Sequence, residues 1–199
     1  MAMFPLGSVL FPHMPLPLRV FEPRYLTMLA EILNEEPSEF GVVLIERGQE
    51  IGGGDTRVSV GTAARVADLD TSGQSVLMIA QGDRRIEVVE WGEDDPYPRA
   101  EVRDLPELEW SPELEPLRER AEIVVRTLLK RIQEYVEHPW PADVGLDDDP
   151  VAASWQLAAI APLGPLDQLA LLRSTSVEQL LTRTIELVTE ASVLYPEED

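Results

Sequence analysis

The segment from Met3 to Leu29, MFPLGSVLFPHMPLPLRVFEPRYLTML, constrains the fold of this chain more than any other. It carries five prolines among many large apolar side chains and very few charges. Proline fixes φ, donates no backbone hydrogen bond and pushes the residue before it toward an extended conformation. Pro12, Pro15 and Pro17 therefore impose an extended path between Phe11 and Leu18. A simple amphipathic helix is excluded there. Val20-Phe21-Glu22-Pro23 then reads as a helix start, with Pro23 near the first helical position. Tyr25, Met28, Leu29, Ile32 and Leu33 fall on one face of that helix.

From Glu39 to Val102 the pattern is one of short strands. Phe40 to Ile45 is an apolar run bounded by Gly48 and by the Gly52-Gly53-Gly54-Asp55 cluster. Arg57 to Leu69 alternates loosely, and Thr71-Ser72-Gly73 reads as a hairpin turn leading to Val76-Leu77-Met78-Ile79. Gly82 is expected to break the chain before Arg84 to Trp91, and a last strand runs from Pro98 to Leu105. Short strands at this spacing suggest a small antiparallel barrel or sandwich.

The character then changes. Asp104 to Glu115 is rich in prolines and acids and reads as a linker that ends in a helix start. Ser111 is the expected N-cap, with Pro112 at the first position. Leu114, Leu117, Ala121, Val124, Val125, Leu128, Leu129, Ile132 and Val136 keep helical spacing to His138, where Pro139 and Pro141 stop the helix. Further helices fit Val151 to Ala161, Pro165 to Leu172, and Ser176 to Leu194 with Ser176 as N-cap. The expected class is α+β. A β-rich part with one inserted helix spans 1–105, and a helical bundle spans 111–195, starting with a long helix at 111–138.

The formal net charge of −21 narrows the partners. Nucleic-acid affinity comes mainly from Lys and Arg neutralising phosphates, and both halves of this chain are acidic. No basic amphipathic stretch offers itself to an anionic membrane. No apolar run approaches the roughly 20 residues that span a bilayer, and no signal-peptide pattern opens the chain. The expectation is a cytoplasmic protein. The lack of cysteine removes disulfides, thiol nucleophiles and thiolate-bound zinc together.

Catalytic chemistry is hard to place. His13 and His138 lie far apart, and neither has a partner at metal-ligand spacing. A structural role for His13 in a proline-rich turn is expected. The Gly52–Gly54 run lacks a following Gly-Lys-Ser/Thr and is followed by Asp55, which would repel phosphate; a hairpin tip fits better. The only lysine, Lys130, sits on an amphipathic helix among charged residues, a poor setting for a Ser–Lys dyad. Glu93-Asp94-Asp95 and Asp147-Asp148-Asp149 lack the alternating ligands and glycine of a calcium loop. No catalytic residue, metal or cofactor is expected, and the chain reads as a non-enzyme.

The opening motif resembles the start of the Lon N-terminal domain family, the substrate-binding domain at the front of ATP-dependent Lon proteases. Phe4-Pro5-Leu6, Val9 to Met14, Pro15-Leu16-Pro17-Leu18 and Phe21-Glu22-Pro23-Arg24-Tyr25 fit it in order. Gly61 to Ala64, Gly82 to Ile86 and Pro96 to Val102 resemble its later strands. Leu157 to Leu163 and Gln168 to Leu172 resemble its helical tail. The resemblance implies a PUA-like antiparallel β-barrel followed by a helical bundle. It implies binding of unfolded or tagged polypeptide, or of a partner protein, as in cereblon, whose related domain is part of an interaction scaffold. The ATPase and protease segments of Lon are not expected in this chain.

Two functional readings follow. The first is a polypeptide-binding or adaptor module in protein quality control, with Pro12, His13 and Met14 at the surface beside a hydrophobic groove and Tyr97, between two prolines, as another contact. Methionine suits such a surface because it adapts to varied partners. Leu10, Phe11, Leu16, Leu18, Phe21 and Tyr25 are expected to be core. The alternative is an RNA or small-molecule binder using Arg84, Arg85, Arg99 and Arg103, which salt-dependent binding of generic RNA would support. A hydrolase built on carboxylates of raised pKa would reveal itself by ATP-independent casein degradation, which is not expected.

Overall fold

Proline spacing and the apolar run at Phe40 set the first layer of the structure, a computed structural model that describes residues 1–47, 56–71, 75–133, 135 and 139–195. The chain divides into two compact units, Met1–Glu107 and Leu108–Asp199. The first holds strands β1 (Met3–Leu6), β2 (Pro15–Val20), β3 (Glu39–Arg47), β4 (Thr56–Asp70), β5 (Val76–Trp91) and β6 (Ala100–Asp104), with helix α1 (Pro23–Ile32) between β2 and β3.

The sheet is mixed and open, not the closed antiparallel barrel expected. Its order is β1-β3-β4-β5-β2, and β6 pairs with β5 off that path. β1 runs parallel to β3 from Met3↔Gly41 to Leu6↔Leu44, whereas the other ladders are antiparallel. Between β1 and the segment leading into β6 there is an isolated Ala2–Arg99 bridge in place of a ladder. A parallel neighbour demands a long crossover, here β2 and α1 together, which local strand patterns do not reveal.

The strands are also fewer and longer than the turn signals suggest. β5 continues through Gly82 instead of breaking there. Its first half pairs with β2 and its second half with β6, both on the side away from β4. Between the halves the register with β4 shifts, so that Ala64 faces Gly82 while Ala63 faces Arg84, a bulge at Asp83. Bulges bend a strand and increase its twist. Gly82 is needed here for space: a Cβ would lie 2.2 Å from the Phe11 carbonyl oxygen.

That carbonyl belongs to a tight turn. The Met14 N–H donates to Phe11 O at 3.3 Å, Pro12 takes the second position, and His13 takes the third with φ 62°. Proline followed by a left-handed residue is the pattern of a type II turn. The turn is stitched to the bulge by His13 N–H to Gly82 O and Gly82 N–H to Met14 O, both 2.9 Å. The buried Thr62 hydroxyl donates to Leu10 O at 2.6 Å beside it.

α1 starts at Pro23, as its sequence predicts, and buries Tyr25, Met28, Leu29 and Ile32, while Leu33 is exposed. Tyr25 stacks on Phe4 of β1 with ring centroids 4.1 Å apart, and Phe40 of β3 meets Phe4 at a tilt. Aromatic pairs of this kind contribute roughly 0.5–1.5 kcal/mol beyond their area burial.

The second unit contains a 3₁₀ turn at Pro112–Leu114 and helices α2 (Glu115–Ile132), α3 (Pro150–Ile160), α4 (Pro165–Leu172) and α5 (Val177–Ser192). α5 packs against α2, α3 and α4. Ser111 makes no side-chain cap bond, and the long helix starts at Glu115 after the tighter turn. Ser176 caps α5 as expected, accepting from Gln179 N–H at 3.0 Å. Asp149 caps α3, accepting from Ala152 N–H at 2.8 Å, so the last of the three consecutive acids has a structural task. Gly48, Gly52 to Asp55, Ser72-Gly73, Val136 and His138 lie outside the described residues.

Candidate polypeptide-binding site

The alternation of a strand decides what β2 offers. Pro15, Pro17 and Arg19 are exposed, Leu16 and Leu18 are half-buried, and Val20 is buried. In the antiparallel register Pro17 stands across from Ile79 and Arg19 across from Leu77. Neighbouring side chains on one face of such a pair meet. Ile79 is 45% exposed and Leu77 50% exposed, although both belong to a strand whose opposite face, Met78 and Ala80, is fully buried.

Two clefts flank β2. One, of about 430 Å³, is walled by Pro17, Leu18, Leu77, Met78 and Ile79, with Arg19, Asp68, Leu69 and Asp70 completing its lining. The other, of about 210 Å³, lies between β1, β2 and the start of α1, with Phe4, Leu6, Pro17, Val20, Phe21 and Tyr25 among its walls. Pro17, Leu18 and Arg19 line both. Phe21 is 53% exposed at the second cleft. Exposed apolar side chains scattered singly are ordinary; here Pro17, Leu77 and Ile79 line one cleft, and Pro17 and Phe21 the other.

The residues singled out from sequence fall differently. Pro12 and Met14 are buried, and in that turn only His13 of the three is exposed. Leu10, Phe11 and Tyr25 are core as expected; Phe21 is not. Tyr97 is buried, at 2% exposure, and its partners are far along the chain. Its hydroxyl donates to Glu31 Oε2 of α1 at 2.5 Å, while Arg99 Nη2 donates to both the same carboxylate oxygen and the Tyr97 hydroxyl. Arg99 also lies over the Tyr97 ring at 4.5 Å. Burial pushes the Tyr97 phenol up to about 12, and the bond to Glu31 adds to this. The same bond, helped by Arg99, holds the Glu31 carboxyl below the usual carboxylate range. This cluster ties α1 to the segment before β6.

The cluster Pro17, Phe21, Leu77 and Ile79 escaped sequence reasoning. Its signal was present: prolines at every second residue of an extended segment put 15, 17 and 19 on one face. Likewise, Leu77 and Ile79 alternate with Met78 and Ala80 in a run that reads as uniformly apolar.

The four arginines considered for nucleic acid are otherwise engaged. Arg84 forks onto Glu39 with bonds of 2.8 and 2.9 Å and also bonds Asp104, which holds its guanidinium charged. Arg99 pairs with Glu31 and Arg103 with Glu87. Arg85 is buried and donates to Pro106 O at 2.6 Å. No group of three or more His, Cys, Asp or Glu among the described residues is arranged to hold a metal ion. Nor is any helix among them long and apolar enough to cross a membrane.

Comparison with known proteins agrees with this architecture. The family model described as the ATP-dependent protease La (LON) substrate-binding domain matches residues 1–190. The crystal structure of a Lon N-terminal domain protein from Xanthomonas campestris is 26% identical, superposes with a TM-score of 0.65, and the match covers 94% of this chain and 96% of that one. The N-terminal domain of the Mycobacterium avium complex Lon protease shares the fold, with a TM-score of 0.69 at 16% identity over 95% of this chain and 97% of that one.

Proposed function

This chain belongs to the Lon substrate-binding domain family, and from that premise we propose that it is a non-catalytic module that captures polypeptide along β2. The single observation that carries the reading is the convergence of Pro17, Phe21, Leu77 and Ile79 on two clefts that share one strand. An unfolded segment brings apolar side chains that a folded protein hides. Each such side chain that enters a cleft gains roughly 25 cal/mol per Å² of apolar area removed from water. The walls stand on paired strands, so little ordering is required of the site itself.

In a cell the module would serve as an adaptor in protein quality control, holding exposed segments for a separate protease or chaperone. The scaffold of this reading is the open mixed sheet of the first unit. The site moves from the Pro12-His13-Met14 turn to the strand that follows it, because two of those three side chains are buried.

The test is a titration of fluorescently labelled, permanently unfolded casein with the purified chain, read by anisotropy. Binding that weakens at least severalfold in Phe21→Ser and Ile79→Ser, both exposed and therefore tolerant of change, supports the reading. Equal capture by parent and variants would remove β2 from consideration.

A further inference from the structure

The free edge of β2 is short of hydrogen-bond donors. The Gly82 N–H bond to Met14 O makes Met14–Gly82 a bonded pair. Antiparallel ladders alternate bonded and non-bonded pairs. In the register Pro15↔Gln81 through Val20↔Val76, Leu16, Leu18 and Val20 therefore point their backbone groups at β5. Pro15, Pro17 and Arg19 point theirs away from it, toward the side where no described strand pairs with β2. Proline has no N–H. Of these three residues all offer a carbonyl, and only Arg19 offers a donor.

The neighbouring cleft has the same bias. Across β5, Asp68 stands in register with Ile79 and Asp70 with Leu77, so each exposed apolar side chain has a carboxylate beside it. Among the described residues Arg19 is the single cationic one in the lining, and its Nε donates to Ser75 Oγ at 3.0 Å. The cleft thus combines an apolar wall with two carboxylates, on a chain of net charge −21.

We propose that this cleft selects polypeptide segments in which apolar side chains are flanked by lysine or arginine. The inference rests on the reading that polypeptide binds along β2, and it names the class of segment. An apolar side chain packs on Pro17, Leu77 and Ile79, while an adjacent ammonium or guanidinium, which only donates, meets Asp68 and Asp70. An acidic segment meets like charge at the same rim. Strand addition cannot zip up along this edge, because a partner's carbonyls would find a donor only at Arg19. Side chains therefore decide the choice.

Two labelled peptides with the same Leu-Phe core, one flanked by lysines and one by glutamates, test this by anisotropy at low salt. The lysine peptide should bind roughly threefold to tenfold more tightly, the span expected of two rim charges. That advantage should shrink as salt screens the rim. Asp68→Asn/Asp70→Asn should erase the preference, and Arg19→Ala should increase it. Equal affinity for the two peptides would overturn the selectivity and leave polypeptide binding standing, whereas failure of both to bind would overturn both. A preference that survives the double Asn variant would overturn its assignment to this cleft.

Discussion

Replacing Gly82 with alanine perturbs the point where the proline turn meets the sheet. The new Cβ would lie 2.2 Å from the Phe11 carbonyl oxygen and 3.3 Å from Leu10 Cγ. A backbone oxygen cannot swing aside as a flexible side chain can, so strand and turn must separate by about an ångström to reach ordinary contact. That separation stretches the two 2.9 Å bonds joining His13 and Met14 to Gly82. Two backbone bonds contribute about 1–3 kcal/mol together. Overpacking adds about 1–3 kcal/mol, and relief from glycine in a strand interior returns about 0.5–1 kcal/mol. The net expectation is destabilisation by about 3 kcal/mol, within a span of about 1–5 kcal/mol, centred on the first unit. With a urea slope of about 1–3 kcal/mol/M, the midpoint followed by far-UV circular dichroism should fall by about 1 M or more. An unchanged midpoint would refute the close approach and the docking of the turn.

Other outcomes follow from single contacts. His13→Gly should be neutral or stabilising by up to about 1 kcal/mol, since it relieves a left-handed residue, while His13→Val should destabilise by more than about 1 kcal/mol; the reverse order in urea midpoints would rule out the type II turn. Because the Tyr97 phenol is raised to about 12 in the folded protein, its stabilising share is fully present below pH ~10, its unfolded value, and is lost as pH climbs from there through 12. A phenolate absorbance titration should show one late-ionising tyrosine that disappears in Tyr97→Phe, and the Glu31 carboxyl should then rise toward its ordinary range by NMR titration. Asp149→Ala should lower stability by about 1 kcal/mol through loss of the α3 cap; an unchanged thermal midpoint would contradict that role.

Features carried by neighbours in sequence were legible in advance. The prolines dictated the extended ribbon, Pro23 marked the start of α1, and Ser176 marked its cap on α5. Features that depend on distant partners were not. Gly82 looks like a breaker when read locally, yet it exists to admit a carbonyl from a turn some seventy residues earlier in the chain. β1 beside β3 is a parallel pair whose crossover includes another strand and a helix. Tyr97 between prolines suggests an exposed ring, but Glu31 on α1 supplies the acceptor that lets its hydroxyl be buried. The proposed site differs from the sequence expectation for a related reason: the motif drew attention to Pro12 to Met14, of which two are buried, whereas the two-residue alternation of β2 and β5 decides which side chains face out.

The location of captured polypeptide tests the central claim most directly. A photo-crosslinking phenylalanine analogue can be placed at Phe21, at Ile79 and, as a control, at Ile123, which is exposed on α2. Irradiation with unfolded casein should give adducts at Phe21 and Ile79 and little at Ile123. Adducts that are equal at all three positions, or strongest at Ile123, would contradict capture along β2.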